Sequence, residues 1–308
     1  MRDQASTLRN LIQRQSADAP TAAGERARIV TFTSGKGGVG KSNLALNVAV
    51  AMAQTGSRVC LLDANPGSSN IDLLCGLNSY WNFGHVLTGA KSLGDVILKG
   101  PAGINIVSGA SRLLELTASA ELTEQIAALE TAYDALLIDA GTGLNETARR
   151  FASVADVTFL VTTPEPTAIA DAYATLKAWQ GNVSSMPDVL VNRAESATQA
   201  KQILDRFAQT VELFLRCSMP SGCSVAEDAI VGQAVVSRRP FVEVAPDGAA
   251  SRDVRRIAKR LCAGAKPVRK HSLWERLQRE GEIVENLPTG PVPVARWPSH
   301  YPNHPEPQ

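Results

Sequence analysis

One run of residues has the types and spacing to handle a phosphate chain: Gly35-Lys36-Gly37-Gly38-Val39-Gly40-Lys41-Ser42. It fits the pattern G-x-x-x-x-G-K-[ST], in which glycines let the backbone wrap a phosphate and turn successive N–H groups toward its oxygens. Lys41 would reach the β- and γ-phosphates of a nucleoside triphosphate, and Ser42 would offer its hydroxyl to Mg2+. Asn43 opens the helix that should follow, whose N-terminus points at the same anion.

That chemistry works only if a strand delivers the loop and a helix leaves it. Arg28-Ile-Val-Thr-Phe-Thr33 reads as the strand, and Asn43 to Met52 as the helix. Further strands are expected over 58–63, 104–107, 135–139, 157–163 and 189–191. Helices are expected over 93–98, 122–129, 167–179, 227–235 and 249–262. This alternation is the signature of an α/β domain with a doubly wound, mostly parallel sheet and helices on both faces. In such a sheet the ligand lies at the carboxyl ends of the strands, where Asp63 emerges from Arg58-Val-Cys-Leu-Leu-Asp63. Tyr80, Trp81 and Phe83 are either interface aromatics or a local core, and the core is the expectation because aromatic residues are often buried.

The bulk numbers agree with one such domain. A chain of 308 residues, 44% hydrophobic, is long enough for an α/β domain of about 230 to 260 residues plus tails. A net charge of +1 disfavours a strongly basic nucleic-acid binder. No apolar run approaches the roughly 20 residues of a membrane-spanning helix, and the polar N-terminus does not read as a signal peptide. The five cysteines, Cys60, Cys75, Cys217, Cys223 and Cys262, lack any C-x-x-C pair. They read as small buried residues of a protein in a reducing cytoplasm rather than as disulfides or a metal site.

Lys36, directly after the first glycine, makes the loop resemble the deviant Walker A loop of the MinD/ParA ATPases. The resemblance implies a P-loop NTPase of the SIMIBI type that binds ATP and Mg2+. It also implies an ATP-dependent homodimer, in which Lys36 crosses to the partner's nucleotide and contributes to catalysis with Lys41. Asp63-Ala-Asn65-Pro-Gly-Ser-Ser-Asn70-Ile-Asp72 is similar to the family's switch I, and Asp139-Ala-Gly-Thr-Gly143 to its Walker B and switch II element. By that likeness Ser42, Asp63 and Asp139 hold the metal, and Gly143 senses the γ-phosphate. The family's second switch I acid is Asn65 here. An amide can orient water but cannot serve as a carboxylate base, so hydrolysis is expected to be slow or to need a partner's help; the other reading of Asn65 is a turn residue before Pro66 and Gly67. Asn192 and Arg193 match a pair that reads adenine in these ATPases, and Pro220 matches a later adenine-packing proline.

The ends carry their own signals. Asp3-Gln4-Ala5-x-x-Leu8-Arg9 is similar to the opening element of FlhG proteins (also called YlxH or FleN), MinD-like regulators of flagellar placement and number. There it stimulates the SRP-type GTPase FlhF, which makes such a GTPase the expected partner. The division expected is 1–27 as a partner-activating segment and linker, 28–265 as the ATPase domain and 266–287 as an amphipathic helix. A proline-rich tail, expected to be disordered, occupies 288–308. Leu273, Leu277, Val284 and Leu287 recur on a possible stripe of that helix. Its acids, Glu275, Glu282 and Glu285, suit a lipid surface poorly, which leaves membrane, protein partner and solvent all open. Two other functions compete with the flagellar regulator. One is a ParA-type DNA-segregation ATPase using Arg238, Arg239 and the basic run 252–270. The other is an ATP-dependent scaffold in which Asn65 has stopped hydrolysis.

Overall fold

Short apolar runs between polar turns become strands, and the longer runs between them become helices. The computed structural model describes residues 24–65, 70–109, 120–183, 185–219 and 222–285, with backbone alone for 120–122 and 281–285. Strand β1 (Gly24–Glu25) leads into β2 (Arg28–Ser34), α1 (Lys41–Gln54), β3 (Val59–Asp63) and α2 (Ile71–Leu74). Then come α3 (Phe83–Leu87), α4 (Leu93–Val96), β4 (Leu98–Lys99), β5 (Asn105–Val107), α5 (Ala120–Ala132), β6 (Ala135–Thr142) and α6 (Glu146–Val154). The second half adds β7 (Val157–Thr162), α7 (Pro166–Trp179), β8 (Asp188–Ala194), α8 (Ala197–Leu215), β9 (Cys223–Ala226) and α9 (Ala229–Val236). It closes with α10 (Phe241–Val244), α11 (Ala249–Cys262), β10 (Val268–Arg269) and α12 (Leu273–Glu285).

Eight strands form one sheet in the order β4-β5-β3-β6-β2-β7-β8-β9. Neighbours run parallel except β4, which joins β5 antiparallel at the edge. β2 takes the centre because Ile29 to Ser34 are all buried, as a strand covered on both faces requires. The register then places Asp63 of β3 opposite Asp139 of β6, and Phe32 of β2 opposite Asp139. Both acids therefore finish at the same edge as the glycine loop.

Each face of the sheet has its own core. One packs Ile126, Phe151, Leu176, Trp179 and Phe207 from α5, α6, α7 and α8. The other packs α1, α10 and α11 through Leu44, Val48, Phe241, Val254 and Leu261. Leu44 to Met52 are buried without interruption, because α1 lies between the sheet and α11 and has no solvent face.

Several expectations need correction. Tyr80 and Trp81 are 84% and 41% exposed, and only Phe83 reaches the core. Among the cysteines Cys60 alone is fully buried; Cys262 is exposed and the others are half-buried. Segment 266–285 does not stand apart from the ATPase domain. Leu273, Trp274 and Leu277 are buried, with α12 lying on α5 and α6, so the first half of the expected stripe is taken up by the chain's own core. β10 also pairs with β1, which ties the two ends of the described chain together. Neither α6 nor β9 nor the 19-residue α8 was delineated from the sequence; α8 buries only Ala200, Phe207, Val211 and Leu215, too narrow a stripe to stand out among its polar residues.

Candidate functional site

The glycine loop joins the end of β2 to the start of α1, at the centre of the sheet's carboxyl edge. Gly38 and Gly40 hold φ of 81° and 91°, the left-handed region that glycine enters without steric cost. Gly40 has a second constraint. A Cβ there would lie 2.4 Å from Asn192 Nδ2. Gly35 is pressed against α7, where a Cβ would approach the Asp171 carbonyl carbon to 2.3 Å.

The residues expected to grip phosphate and metal come together at this bend. Lys41 Nζ donates to Asp139 Oδ1 and, at 3.4 Å, to Ser42 Oγ. Lys41 is 7% and Asp139 1% exposed. The other Asp139 oxygen, Oδ2, is buried without a hydrogen-bond partner, a costly state for a carboxylate that a ligand would relieve. Asp63 accepts from the Asn65 N–H at Oδ1 (3.2 Å) and from the Asn70 and Ile71 N–H groups at Oδ2 (2.9 and 3.1 Å). Mg2+ is usually held by one or two carboxylates together with substrate phosphates, and Ser42, Asp63 and Asp139 supply that donor set. The orphaned oxygen of Asp139 fits the ion. Asn65, half-buried, lines the same cavity of about 610 Å3 as Lys41, Ser42 and Thr142.

Gly143 lies behind the loop. Its N–H donates to the Ser34 carbonyl at 2.6 Å, and its own carbonyl accepts from Trp179 Nε1 at 2.7 Å. A γ-phosphate could recruit this N–H only by breaking the bond to Ser34.

Asn192 and Arg193 belong to β8 itself rather than to a turn after it. Both clamp the loop: Asn192 Nδ2 donates to the Val39 carbonyl at 2.8 Å, and Arg193 Nη2 to the Gly38 carbonyl at 3.2 Å. Arg193 has φ of 58°, a strained value for a residue with a side chain. The pair borders a second cavity of about 620 Å3, with Asn43 and the Glu227–Asp228 turn on its other walls. That is where a base attached to a loop-bound phosphate chain would extend. Pro220 and the N-terminal residues Asp3, Gln4, Ala5, Leu8 and Arg9 lie outside the described residues, as does the 288–308 tail.

Lys36 does not point freely outward. Its Nζ donates to Glu165 Oε2 at 2.9 Å and to Thr167 Oγ1 at 3.0 Å, both at the start of α7. The hydrogen bond from Lys36 holds the Glu165 carboxyl below its ordinary range. Sequence reasoning assigns Glu165 no role; an acid next to a proline at a helix start is the available signal. Four of the eight basic residues in the run 252–270 form ion pairs, Arg256 with Asp253, Arg260 with Asp188, Lys266 with Asp134 and Arg269 with Asp156, while Arg252, Lys259 and Lys270 are exposed.

A mostly parallel sheet carrying a glycine-rich strand-to-helix loop, with Asp139 of β6 paired to the loop lysine and Asp63 at the end of β3 in register with it, defines a P-loop nucleotide-binding protein. The family model of the CobQ/CobB/MinD/ParA nucleotide binding domain matches residues 30–241, and the chain belongs to that family. It is 32% identical over 240 residues to the antiactivator FleN of Pseudomonas aeruginosa, spanning 76% of this chain and 86% of that protein. It is also 34% identical over 182 residues to the flagellum site-determining protein YlxH of Helicobacter pylori, spanning 58% of this chain and 62% of that one. Among solved structures, the septum site-determining protein MinD complexed with Mg-ADP from Pyrococcus horikoshii superposes with a TM-score of 0.60. That match is 22% identical and covers 77% of this chain and 96% of that one.

Proposed function

We propose that this chain is a MinD-like ATPase, a switch that pairs with a second copy of itself on binding Mg2+–ATP and regulates flagellar assembly or placement. The observation that carries this is the meeting of Lys41, Ser42, Asp63 and Asp139 at one glycine bend that also bears Lys36. The names of the two relatives, an antiactivator and a flagellum site-determining protein, support the flagellar assignment. The N-terminal Asp3-Gln4-Ala5-x-x-Leu8-Arg9 element supports a further step, stimulation of the SRP-type GTPase FlhF.

The chain's own residues then have separable tasks. Backbone N–H groups of the loop and the N-terminus of α1 receive the phosphates. Lys41, now paired with Asp139, turns its ammonium toward the triphosphate and exchanges one anionic partner for another. Ser42, Asp63 and Asp139 would hold Mg2+, which would supply charge to offset that of the phosphates. Asn65 orients water by hydrogen bonding without accepting its proton, so turnover is slow. Lys36 leaves Glu165 and Thr167 to neutralise charge on the nucleotide of the second copy. γ-Phosphate contacts hold the switch segments in one arrangement, and hydrolysis releases them.

Calorimetric titration with Mg2+–ATP tests the binding step. Saturable binding that Lys41→Ala weakens by about a hundredfold, the scale of a lost charge-assisted contact, is the expected result. Equal affinity in that variant would remove the phosphate site from this loop.

A further inference from the structure

Tyr80 and Trp81 belong to no part of the nucleotide site, yet they are held ready rather than collapsed. Phe83, two residues beyond Trp81, is buried and pins the turn to the core. Asn82 caps α3, accepting from the Gly84 N–H at 3.0 Å, while its own N–H donates to His85 Nδ1 at 3.2 Å. The Trp81 ring meets His85 edge-on at 5.0 Å between centroids, and Lys91 Nζ stands 4.4 Å from the Trp81 centroid. Tyr80 lies beside it at 6.3 Å. A tryptophan fixed between two neighbours, with an exposed tyrosine alongside, has already lost the freedom that binding would otherwise remove.

The charge of this surface is one-sided. From 76 to 109 the chain carries Lys91 and Lys99 against a single acid, Asp95, whose carboxylate accepts from the Ser92 N–H and hydroxyl. Among the described residues Lys91 forms no ion pair. Aromatic rings next to a cation without an anion complement a peptide segment with acidic and apolar side chains. Nucleic acid is a poor match, because so few lysines would displace few counterions. A lipid surface is a poor match too, since Lys91 stands over one face of the Trp81 ring and its charge would have to be desolvated as the ring inserts.

The same surface is wired to the nucleotide edge. Asp63 caps the start of α2 through the Asn70 and Ile71 N–H groups. Within α2 the nearly buried Asp72 accepts from the Ser79 hydroxyl and, at 3.4 Å, from the Ser79 N–H. The Leu77 N–H donates to the Asp72 carbonyl at 2.8 Å. Turning an Asp63 oxygen from these amides toward a bound metal would free the start of α2, and the Asp72–Ser79 bonds would couple that end of α2 to Tyr80. We propose that Tyr80, Trp81 and Lys91 form a docking surface for an acidic, apolar-bearing segment of a partner protein, and that α2 makes its affinity depend on the bound nucleotide. The second half of this rests on the nucleotide site proposed above.

The test is to pan phage-displayed random short peptides on the full chain with Mg2+ and a non-hydrolysable ATP analogue. The enriched peptides are then titrated by fluorescence anisotropy with the analogue and with ADP. Enriched peptides should be acidic and apolar. They should bind about tenfold more weakly to Tyr80→Ala and to Lys91→Glu, the usual scale for an interface anchor. Affinity should differ about fivefold or more between the two nucleotides, a typical coupling between linked sites. Ser79→Ala should keep the affinity and lose that difference. Tyr80 is exposed, so an unchanged melting temperature confirms that its removal leaves the fold intact. No enrichment, basic peptides, or equal binding to both variants would overturn the docking surface. Equal affinity with either nucleotide retained on the protein would overturn the link. Failure to retain nucleotide at all would instead refute the site on which the link depends, and the comparison of Tyr80→Ala and Lys91→Glu would still decide the surface.

Discussion

At the residue scale Lys36 is the most informative side chain. The loop presents it, but Glu165 and Thr167 of the same chain hold it. Pairing across to another nucleotide therefore competes with an internal pair. Glu165→Gln removes the charge and keeps the shape, so the ATP concentration needed for half-maximal dimerisation should fall. Light scattering against ATP concentration reads this, and an unchanged midpoint would show that Glu165 does not restrain the lysine. Because Glu165 is exposed, the melting temperature should stay where it is. Asn65 is the second residue to test. Asn65→Asp restores a carboxylate beside the attacking water and should raise turnover by about 100- to 10,000-fold at most, the range of general-base catalysis. A phosphate-release assay showing wild type as fast as the variant would clear Asn65 of restraining hydrolysis. The glycines separate two kinds of demand. A methyl at Gly35 meets the backbone of Asp171, whereas at Gly37 it meets nothing within 4 Å and the φ is ordinary. Gly35→Ala should lower the melting temperature and weaken ATP binding, while Gly37→Ala should leave the melting temperature unchanged.

At the scale of elements, α12 completes the domain. Leu277 is fully buried against α5 and α6, so Leu277→Ala should cost about 2–5 kcal/mol in chemical denaturation. Where α12 begins, the Leu273 N–H donates to Oε1 of the buried Glu130, and Arg276 stands 3.9 Å from Oε2. Burial pushes the Glu130 carboxyl above its ordinary value, more than the Leu273 amide and the nearby Arg276, Arg26 and Arg269 pull it down. A raised acid favours the folded state while protonated. Its contribution is complete below the ordinary value of 4.5 and is lost as pH rises through the elevated one. The stability of wild type minus that of Glu130→Gln should therefore fall as pH rises from that range. A difference that rises instead would mean that the arginines dominate. The alternation of strands and helices was legible because each strand of the sheet's centre is a short apolar run. The glycine loop, Asp63 and Asp139 were legible for the same reason: each stands at the end of such a run. What hid was non-local. Tyr80 and Trp81 read as core by type alone, and only the turn that buries Phe83 instead explains their exposure. The stripe of Leu273 and Leu277 shows which face is apolar but cannot say whether a membrane or the protein's own helices cover it. Nothing in the spacing of Glu165 announces that it reaches back to Lys36 across the sheet edge.

At the scale of the whole molecule, the nucleotide edge gathers the pieces that would change together. The loop, the two acids, α2 and the start of α7 all border it, and the Tyr80–Trp81 surface hangs from α2. Away from the phosphate loop, at the start of β2, β1 pairs with β10 just before α12. Among the described residues no helix is long and apolar enough to cross a membrane. The most direct measurement is the mass in solution of the full chain, by light scattering after gel filtration, with Mg2+–ADP and with Mg2+–ATP. A monomer of 32.7 kDa with ADP and twice that mass with ATP is the expected pair of results. The same mass with both nucleotides would contradict the idea that a triphosphate at Lys41 decides whether two copies join.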